Sequence, residues 1–238
     1  MAKLGQFEED LDFLFEKLTR GEESQLRVKL KSVKERLVDL NKRNLVKINH
    51  SVMEFLCAKE LAAKGYDVDV EHPLNALTCD VFGVKDGGNV IVEIETGFTF
   101  PDHALDPLTY TMTRVASKIA RYSCHTDKFG LGTLPNNILN IPQIFLKPPR
   151  YRDEVEIAEI KAHLDKYYKN PPITFDEIRH ARLHTVYITY VDEGKVWEID
   201  PEAYIESTSQ LPFSMTKNNT LKIVSIMPGS RGECGFPT

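Results

Sequence analysis

The sequence has no apolar run long enough to span a membrane, and its opening stretch MAKLGQFEED lacks the apolar core of a signal peptide. Cysteine is sparse: Cys57, Cys79, Cys124 and Cys234 are scattered, with no CxxC pair and no histidine at zinc spacing. A disulfide framework and a zinc site are therefore excluded as expectations. The thiols read as those of a reducing cytoplasm, with no membrane partner. There is no phosphate-binding P-loop, no GxGxxG, no Ser-His-Asp arrangement, no repeat and no low-complexity tract. Surplus positive charge is also missing. A net charge of -5 argues against indiscriminate coating of nucleic acid, so the placement of cations matters more than their sum.

What is present is an ordinary globular composition, 42% hydrophobic and 27% charged over 238 residues, enough for one good-sized domain and an appendage. Its centre is LTCDVFGVKDGGNVIVEIETG, Leu77 to Gly97. Side chains alternate from Cys79 to Val84 and again from Val90 to Glu95, around a glycine-bearing turn, which predicts a β-hairpin. Glu93 and Glu95 share one face of the second strand, with Val92 and Ile94 on the other. Folding about Gly87 sets Asp80 opposite Glu93. Carboxylates brought that close must take up a proton or share a cation, and an oxygen-only set suits Mg²⁺ or Mn²⁺. The plainer alternative is a charged strand face looking into water. A fourth acid weighs against it: in the helix predicted for His50 to Lys64, Glu54 lies in one stripe with Cys57, Ala58 and Leu61. An acid in an apolar stripe is costly to bury without a partner. Gly65 closes that helix, and Tyr66 to Val70 alternates into a first strand.

A helix bearing Glu54, then a strand, a strand bearing Asp80, a turn, the strand Glu93-Ile94-Glu95 and a further helix: this order resembles the PD-(D/E)xK nuclease superfamily of restriction endonucleases and archaeal Holliday-junction resolvases, over about Asn49 to Leu134. With its helical front end the chain also resembles uncharacterised archaeal coiled-coil nuclease-like proteins. One departure is clear: Glu95 stands where the family usually has lysine, and Lys118 on the next helix is the residue that would replace it. The resemblance implies an α/β fold with a restriction-endonuclease-like mixed central sheet flanked by helices, preceded by an N-terminal helical coiled-coil segment. The implied domains are residues 1–47 (helical), 48–206 (nuclease-like) and 207–238 (linker, an added strand over Leu221 to Met227 and a loose tail). It further implies a Mg²⁺- or Mn²⁺-dependent endonuclease cutting double-stranded or branched DNA, as a homodimer. Glu54, Asp80 and Glu93 would hold metal, and Glu54, Asp80, Glu93, Glu95 and Lys118 would form the catalytic set. Glu95 would bind a second ion or act as general base. Arg114, Lys118 and Arg121, on one side of the helix predicted for Thr111 to Cys124, would meet the phosphates. The alternative is a nuclease-like scaffold that binds DNA or a protein without cutting.

The flanking segments complete the reading. Leu4, Phe7, Leu11, Leu14 and Leu18, then Leu26, Leu30, Val33, Leu37 and Leu40, form two apolar seams broken near Gly21. They predict either a helical hairpin or a stuttered coiled coil, used for dimerisation or for packing on the chain's own core. Cations crowd Arg27 to Lys47, either as a phosphate-binding face or as a solvated one. His103, in the loop after Glu95, is a candidate for orienting water or phosphate. Further strands are expected at Lys128 to Leu134, Ile141 to Ile144, Thr185 to Val191 and Lys195 to Ile199. Helices are expected after Asp153 and after the capping pattern Thr174-Phe-Asp-Glu177.

Overall fold

Two periods run through the chain, near 3.6 residues in its helices and 2 in its strands, and they place apolar side chains on both faces of one sheet. A computed structural model describes residues 5–209. In chain order the helices are α1 (Gln6–Thr19), α2 (Ser24–Lys42) and α3 (Ile48–Ala63), followed by strands β1 (Asp67–Leu74), β2 (Leu77–Lys85) and β3 (Gly88–Glu95). Helix α4 (Pro107–Tyr122) leads to β4 (Lys128–Thr133), and α5 (Glu154–Tyr167) and α6 (Phe175–His180) lead to β5 (Thr185–Tyr190). Strand β6 (Lys195–Ile199) and helix α7 (Pro201–Ser209) close the described chain. The six strands form one mixed sheet in the order β1-β2-β3-β4-β5-β6, parallel at β3–β4 and β4–β5 and antiparallel elsewhere. The chain is thus α/β, with helices on both faces of the sheet.

One face is covered by α1, α2 and α3, whose Leu11, Leu14, Leu30, Val33, Leu37, Met53 and Leu56 share a core with Val81, Val92 and Ile94 of the sheet. The other face packs Ile91, Phe129, Leu131 and Val186 against Val115, Ile119, Ile157 and Ile178 from α4, α5 and α6. No helix among the described residues is long and apolar enough to cross a membrane.

Three sequence expectations are corrected. The N-terminal seams form no free-standing coiled coil: Gly21, at φ +80°, turns the chain back. Arg27–Glu16, Lys34–Asp12 and Lys42–Glu8 pair in opposite order along α1 and α2, so the two helices run antiparallel. Their apolar seams are then buried in the chain's own core. Ile141 to Ile144 is not a strand, because Pro142 has no amide to give a ladder; a 3₁₀ turn at Gln143–Phe145 buries Ile144 and Phe145 instead. The stretch past Tyr204 continues as helix to Ser209, started by Asp200, whose Oδ1 accepts the Glu202 and Ala203 amides at 2.9 and 3.3 Å, and by Pro201 in the first turn. Leu4, Cys234 and the strand expected at Leu221 to Met227 lie outside the described residues.

Because α1 and α2 complete one side of the core, removing them exposes the sheet. Leu37→Ala, at a fully buried position, is expected to cost about 2–5 kcal/mol, read from the urea midpoint. A chain beginning at residue 47 is expected to lose cooperative unfolding; a native-like, cooperative transition in that fragment would contradict the shared core.

Candidate metal centre

Strands β2 and β3 pair from Lys85↔Gly88 up to Val81↔Val92, and there the backbone ladder ends. One residue further on, Asp80 and Glu93 face each other as the hairpin register requires, and side chains replace the ladder. The Asp80 amide donates to Glu93 Oε1 at 3.1 Å, and the Ile94 amide donates to Asp80 Oδ2 at 2.6 Å. Both carboxylates are thereby fixed by the partner strand.

From α4, Lys118 reaches into this gap. Its Nζ lies 2.8 Å from the Ile94 carbonyl, 3.0 Å from Glu93 Oε2 and 3.2 Å from Asp80 Oδ2. The ammonium thus sits between Asp80 and Glu93, two of the three carboxylates that the resemblance implied would hold a metal ion. Glu54 is brought to Asp80 but not into that triangle. It belongs instead to a group formed by His50 and Glu54 of α3, Glu71 of β1 and Asp80 of β2, each offering one ligand atom, all within 4.8 Å of one another. His50 Nε2 is 3.2 Å from Asp80 Oδ1 and 3.7 Å from Glu54 Oε1.

Glu54 decides what this second group is for. Its side chain is 0% exposed, and neither oxygen has a hydrogen-bond partner. A buried carboxylate without donors costs several kcal/mol unless it is protonated or meets a cation. Two further carboxylates and one imidazole converging on such an orphan make a set that suits a divalent ion. The donor set therefore fits a metal.

The charges respond to this crowding. Burial pushes the Glu54 carboxyl well above its usual range, and the charges of Asp80 and Glu71 push the same way. Glu71 is likewise raised, by burial and by Asp80. Burial works to raise Asp80 too, but Lys118, His50 and the Ile94 amide together hold it well below the usual carboxylate range. Glu93 is pushed up to about 8, by burial and by Asp80, with Lys118 only partly offsetting them. Lys118 is disfavoured by burial yet held more firmly protonated than a free lysine by Asp80, Glu93 and Glu95.

The remaining sequence-predicted residues lie around this centre. Glu95 turns to Arg114, with Oε2 at 3.1 Å from Nη2, and its Oε1 accepts the Gly97 amide at 3.0 Å. Arg114 also donates to the Phe98 carbonyl at 2.6 Å. Arg121 donates to the Pro171 carbonyl at 2.6 Å and lies over the Tyr168 ring, so it is spent on bracing α4 against the loop before α6. His103 stacks on Tyr110 at 3.8 Å and does not enter the cluster. Along α2 and just past it, Arg27, Lys29, Lys31, Lys34, Arg36, Lys42 and Arg43 each pair with an acid of the same chain, so of the basic stretch only Lys47 is in no such pair among the described residues.

Sequence reasoning missed His50 and Glu71. His50 stands four residues before Glu54, one turn away on the same helix face, a spacing that signals a pair. Glu71 was lost because the first strand was ended at Val70.

No family model and no curated protein matches this chain. Among solved structures, it is similar to that of Pyrococcus furiosus SfsA in complex with Ca²⁺, at 12% identity and a TM-score of 0.28 over 64% of this chain and 62% of that one. The chain thus spans less than two thirds of that protein's length. So low a score carries no weight for fold or function.

The shifts set a pH dependence. Glu54 and Glu93 have raised pKa values in the folded chain, so their contribution to stability is complete below the ordinary carboxylate range and fades as pH climbs, for Glu93 toward about 8. Asp80 acts in the opposite sense, but only in strongly acid solution. In EDTA, the melting temperature is expected to fall between pH 5 and 8, by about 2–4 °C for each kcal/mol lost. Mn²⁺ is expected to flatten or reverse that slope, because it takes the ionised carboxylates. A rising melting curve in EDTA would contradict the assignment.

Proposed function

We propose that the chain is a divalent-metal-dependent phosphodiesterase that cuts DNA, with His50, Glu54, Glu71 and Asp80 as the metal ligands. The observation that carries this reading is the wholly buried, unpartnered Glu54 carboxylate facing three further ligand groups. The DNA substrate, double-stranded or branched, rests on the order of chemistry-bearing elements, which resembles that of the PD-(D/E)xK nucleases. A homodimer, which would set two sites against two strands, belongs to the same proposal. Its interface would have to lie elsewhere than on the apolar seams of α1 and α2, which the chain itself covers.

What a divalent cation supplies in such a place is Lewis-acid polarisation of phosphate oxygens and a lowered pKa for water. The chain's own groups do the rest. Lys118, held at the edge of the cluster through Asp80, offers a fixed positive charge to the charge that builds on the phosphate. Glu93, whose carboxyl burial and Asp80 push up to about 8, lies 3.0 Å from that ammonium and is placed to exchange a proton near neutral pH. Glu95 is paired with Arg114, so its part is to orient that arginine rather than to act as a free base. The single nitrogen ligand, His50, is better accommodated by Mn²⁺, a first-row transition ion, than by Mg²⁺, which takes oxygen ligands and keeps several waters.

One observation favours a second reading, an inert scaffold. Lys118 already neutralises Asp80 and Glu93, and Arg114 neutralises Glu95, so much of the acidic cluster stands without a metal.

Cleavage of supercoiled, linear, single-stranded and four-way-junction DNA, in Mg²⁺ and in Mn²⁺, separates the two. The enzyme reading expects metal-dependent cutting, stronger in Mn²⁺, that Asp80→Asn abolishes and whose Mn²⁺ preference His50→Gln narrows. Unaltered DNA binding with no cutting by wild type, in either metal and across salt, would instead establish the scaffold.

A further inference from the structure

Glu71 reaches the cluster from an unusual backbone. Its φ is +47°, and it is the one non-glycine residue inside a described strand in the left-handed region; Asn44, Asn75 and Asp86 share that region but stand in turns. L side chains rarely adopt this conformation unless their surroundings impose it. The ladder shows what the conformation does. Val70 pairs with Val81 and His72 with Cys79, while the Glu71–Asp80 pair between them is skipped. The two acids stand opposite each other, with the strand twisted at that point. On the β2 side, Val81 belongs to the core under α3, whereas Cys79, two residues away, belongs to the core under α4. A regular strand would put both on one face.

The group that holds this twist comes from α2. Arg36 donates from Nε to the Val70 carbonyl at 2.5 Å and from Nη2 to the Glu71 carbonyl at 2.8 Å, on either side of the peptide that enters the left-handed residue. It also pairs with Asp69 Oδ1 at 3.1 Å, and Asp69 in turn accepts the Val70 amide at 2.9 Å and contacts His72 Nδ1 at 2.8 Å. A planar guanidinium offers a rigid fork of donors that suits two adjacent carbonyls. Both carbonyls lie where the β1–β2 register skips a pair.

We propose that Arg36 is a positioning residue for the metal centre: it fixes the left-handed backbone of Glu71 and so aims that carboxylate at Glu54, Asp80 and His50. The N-terminal helical hairpin is then part of the metal site's supporting shell and not an appendage. This rests on the metal reading above. Groups that orient metal ligands from outside the coordination shell commonly change affinity by about ten- to a hundred-fold when removed.

The test is a Mn²⁺ titration of the EDTA-stripped full chain, followed by the electron paramagnetic resonance signal of free Mn²⁺, well below the melting temperature. Wild type, Arg36→Met, Glu71→Gln and the double variant form a cycle. Arg36→Met is expected to weaken Mn²⁺ binding about tenfold or more. In the Glu71→Gln background it is expected to cost nothing further, because Arg36 acts through Glu71. Arg36→Lys, which keeps the charge but not the fork, is expected to fall between, and it completes the same cycle should Arg36→Met fail to fold. A plain staple between α2 and β1 would lower the melting temperature and leave Mn²⁺ affinity alone. Wild-type affinity in Arg36→Met, or losses that add with Glu71→Gln, would overturn the proposal while leaving the metal site standing. No Mn²⁺ uptake by wild type would bring down both.

Discussion

Like charges in a protein interior repel strongly, and Glu54, Glu71, Asp80 and Glu93 are all drawn to the end of one hairpin. They cannot all be ionised there without cations. The ammonium of Lys118 answers half of this, with contacts of 3.2 Å or less to Asp80, Glu93 and the Ile94 carbonyl. Removing one partner of a buried pair of this kind costs about 3–5 kcal/mol, because the other charge is left uncompensated. Helix α4 is therefore tied to β2 and β3 by electrostatics as well as by Val115 and Ile119. The position of that helix, and of the loop from Glu95 that leads to it, follows from where its lysine must sit.

The remaining half of the charge is unanswered by the chain. Asp80 is shared: its Oδ2 faces Lys118, while its Oδ1 faces His50. On the lysine side the ionised form of Asp80 is stabilised; on the other side Glu54 faces Asp80, Glu71, the His50 imidazole and the buried Ser51, and neither of its oxygens makes a hydrogen bond. The environment therefore splits chemically similar acids in opposite directions, Asp80 down and Glu54 and Glu93 up. Acids driven apart in this way are the pattern that the proposed proton or cation exchange requires. A solvent-facing acidic surface would not produce the division, since water would screen each group separately.

Much of this was legible in residue order. Alternation and the Gly87 turn put Asp80 across from Glu93, and the stripe of Glu54 with Cys57 and Leu61 marked it as an acid facing inward. Strong periodicity made these two positions readable, because each follows from a repeat of 2 or 3.6 residues. Lys118, as the replacement for a missing strand lysine, came from the resemblance to the nuclease superfamily and not from spacing. Glu71 broke such a repeat. A left-handed residue within a strand has no local signature when it is not glycine, so the strand looked finished at Val70. The partition of ligands was equally hidden: that Lys118 would take the place between Asp80 and Glu93, leaving Glu54 to join His50, depends on how far α3 and α4 stand from the sheet. The seams of α1 and α2 could be read, but their partner could not, because a helix partner and a sheet face demand the same narrow apolar stripe.

That ambiguity has a functional side. Had the N-terminal helices paired only with a second chain, α2 would have no reason to stand over β1, and the Val70 and Glu71 carbonyls would be left to water. Packing Leu30, Val33 and Leu37 into the core under Val81 and Val92 brings Arg36, on the same helix, to the strand it grips. Apolar burial is non-directional and cannot choose a backbone conformation. A forked, charged donor can, because its hydrogen bonds are short and geometrically demanding. Burial delivers the helix, and the guanidinium then selects the twist that leaves Glu71 facing Asp80. On that proposal the left-handed residue leans on α2, and the acidic cluster belongs to the whole three-layer fold rather than to its central hairpin alone.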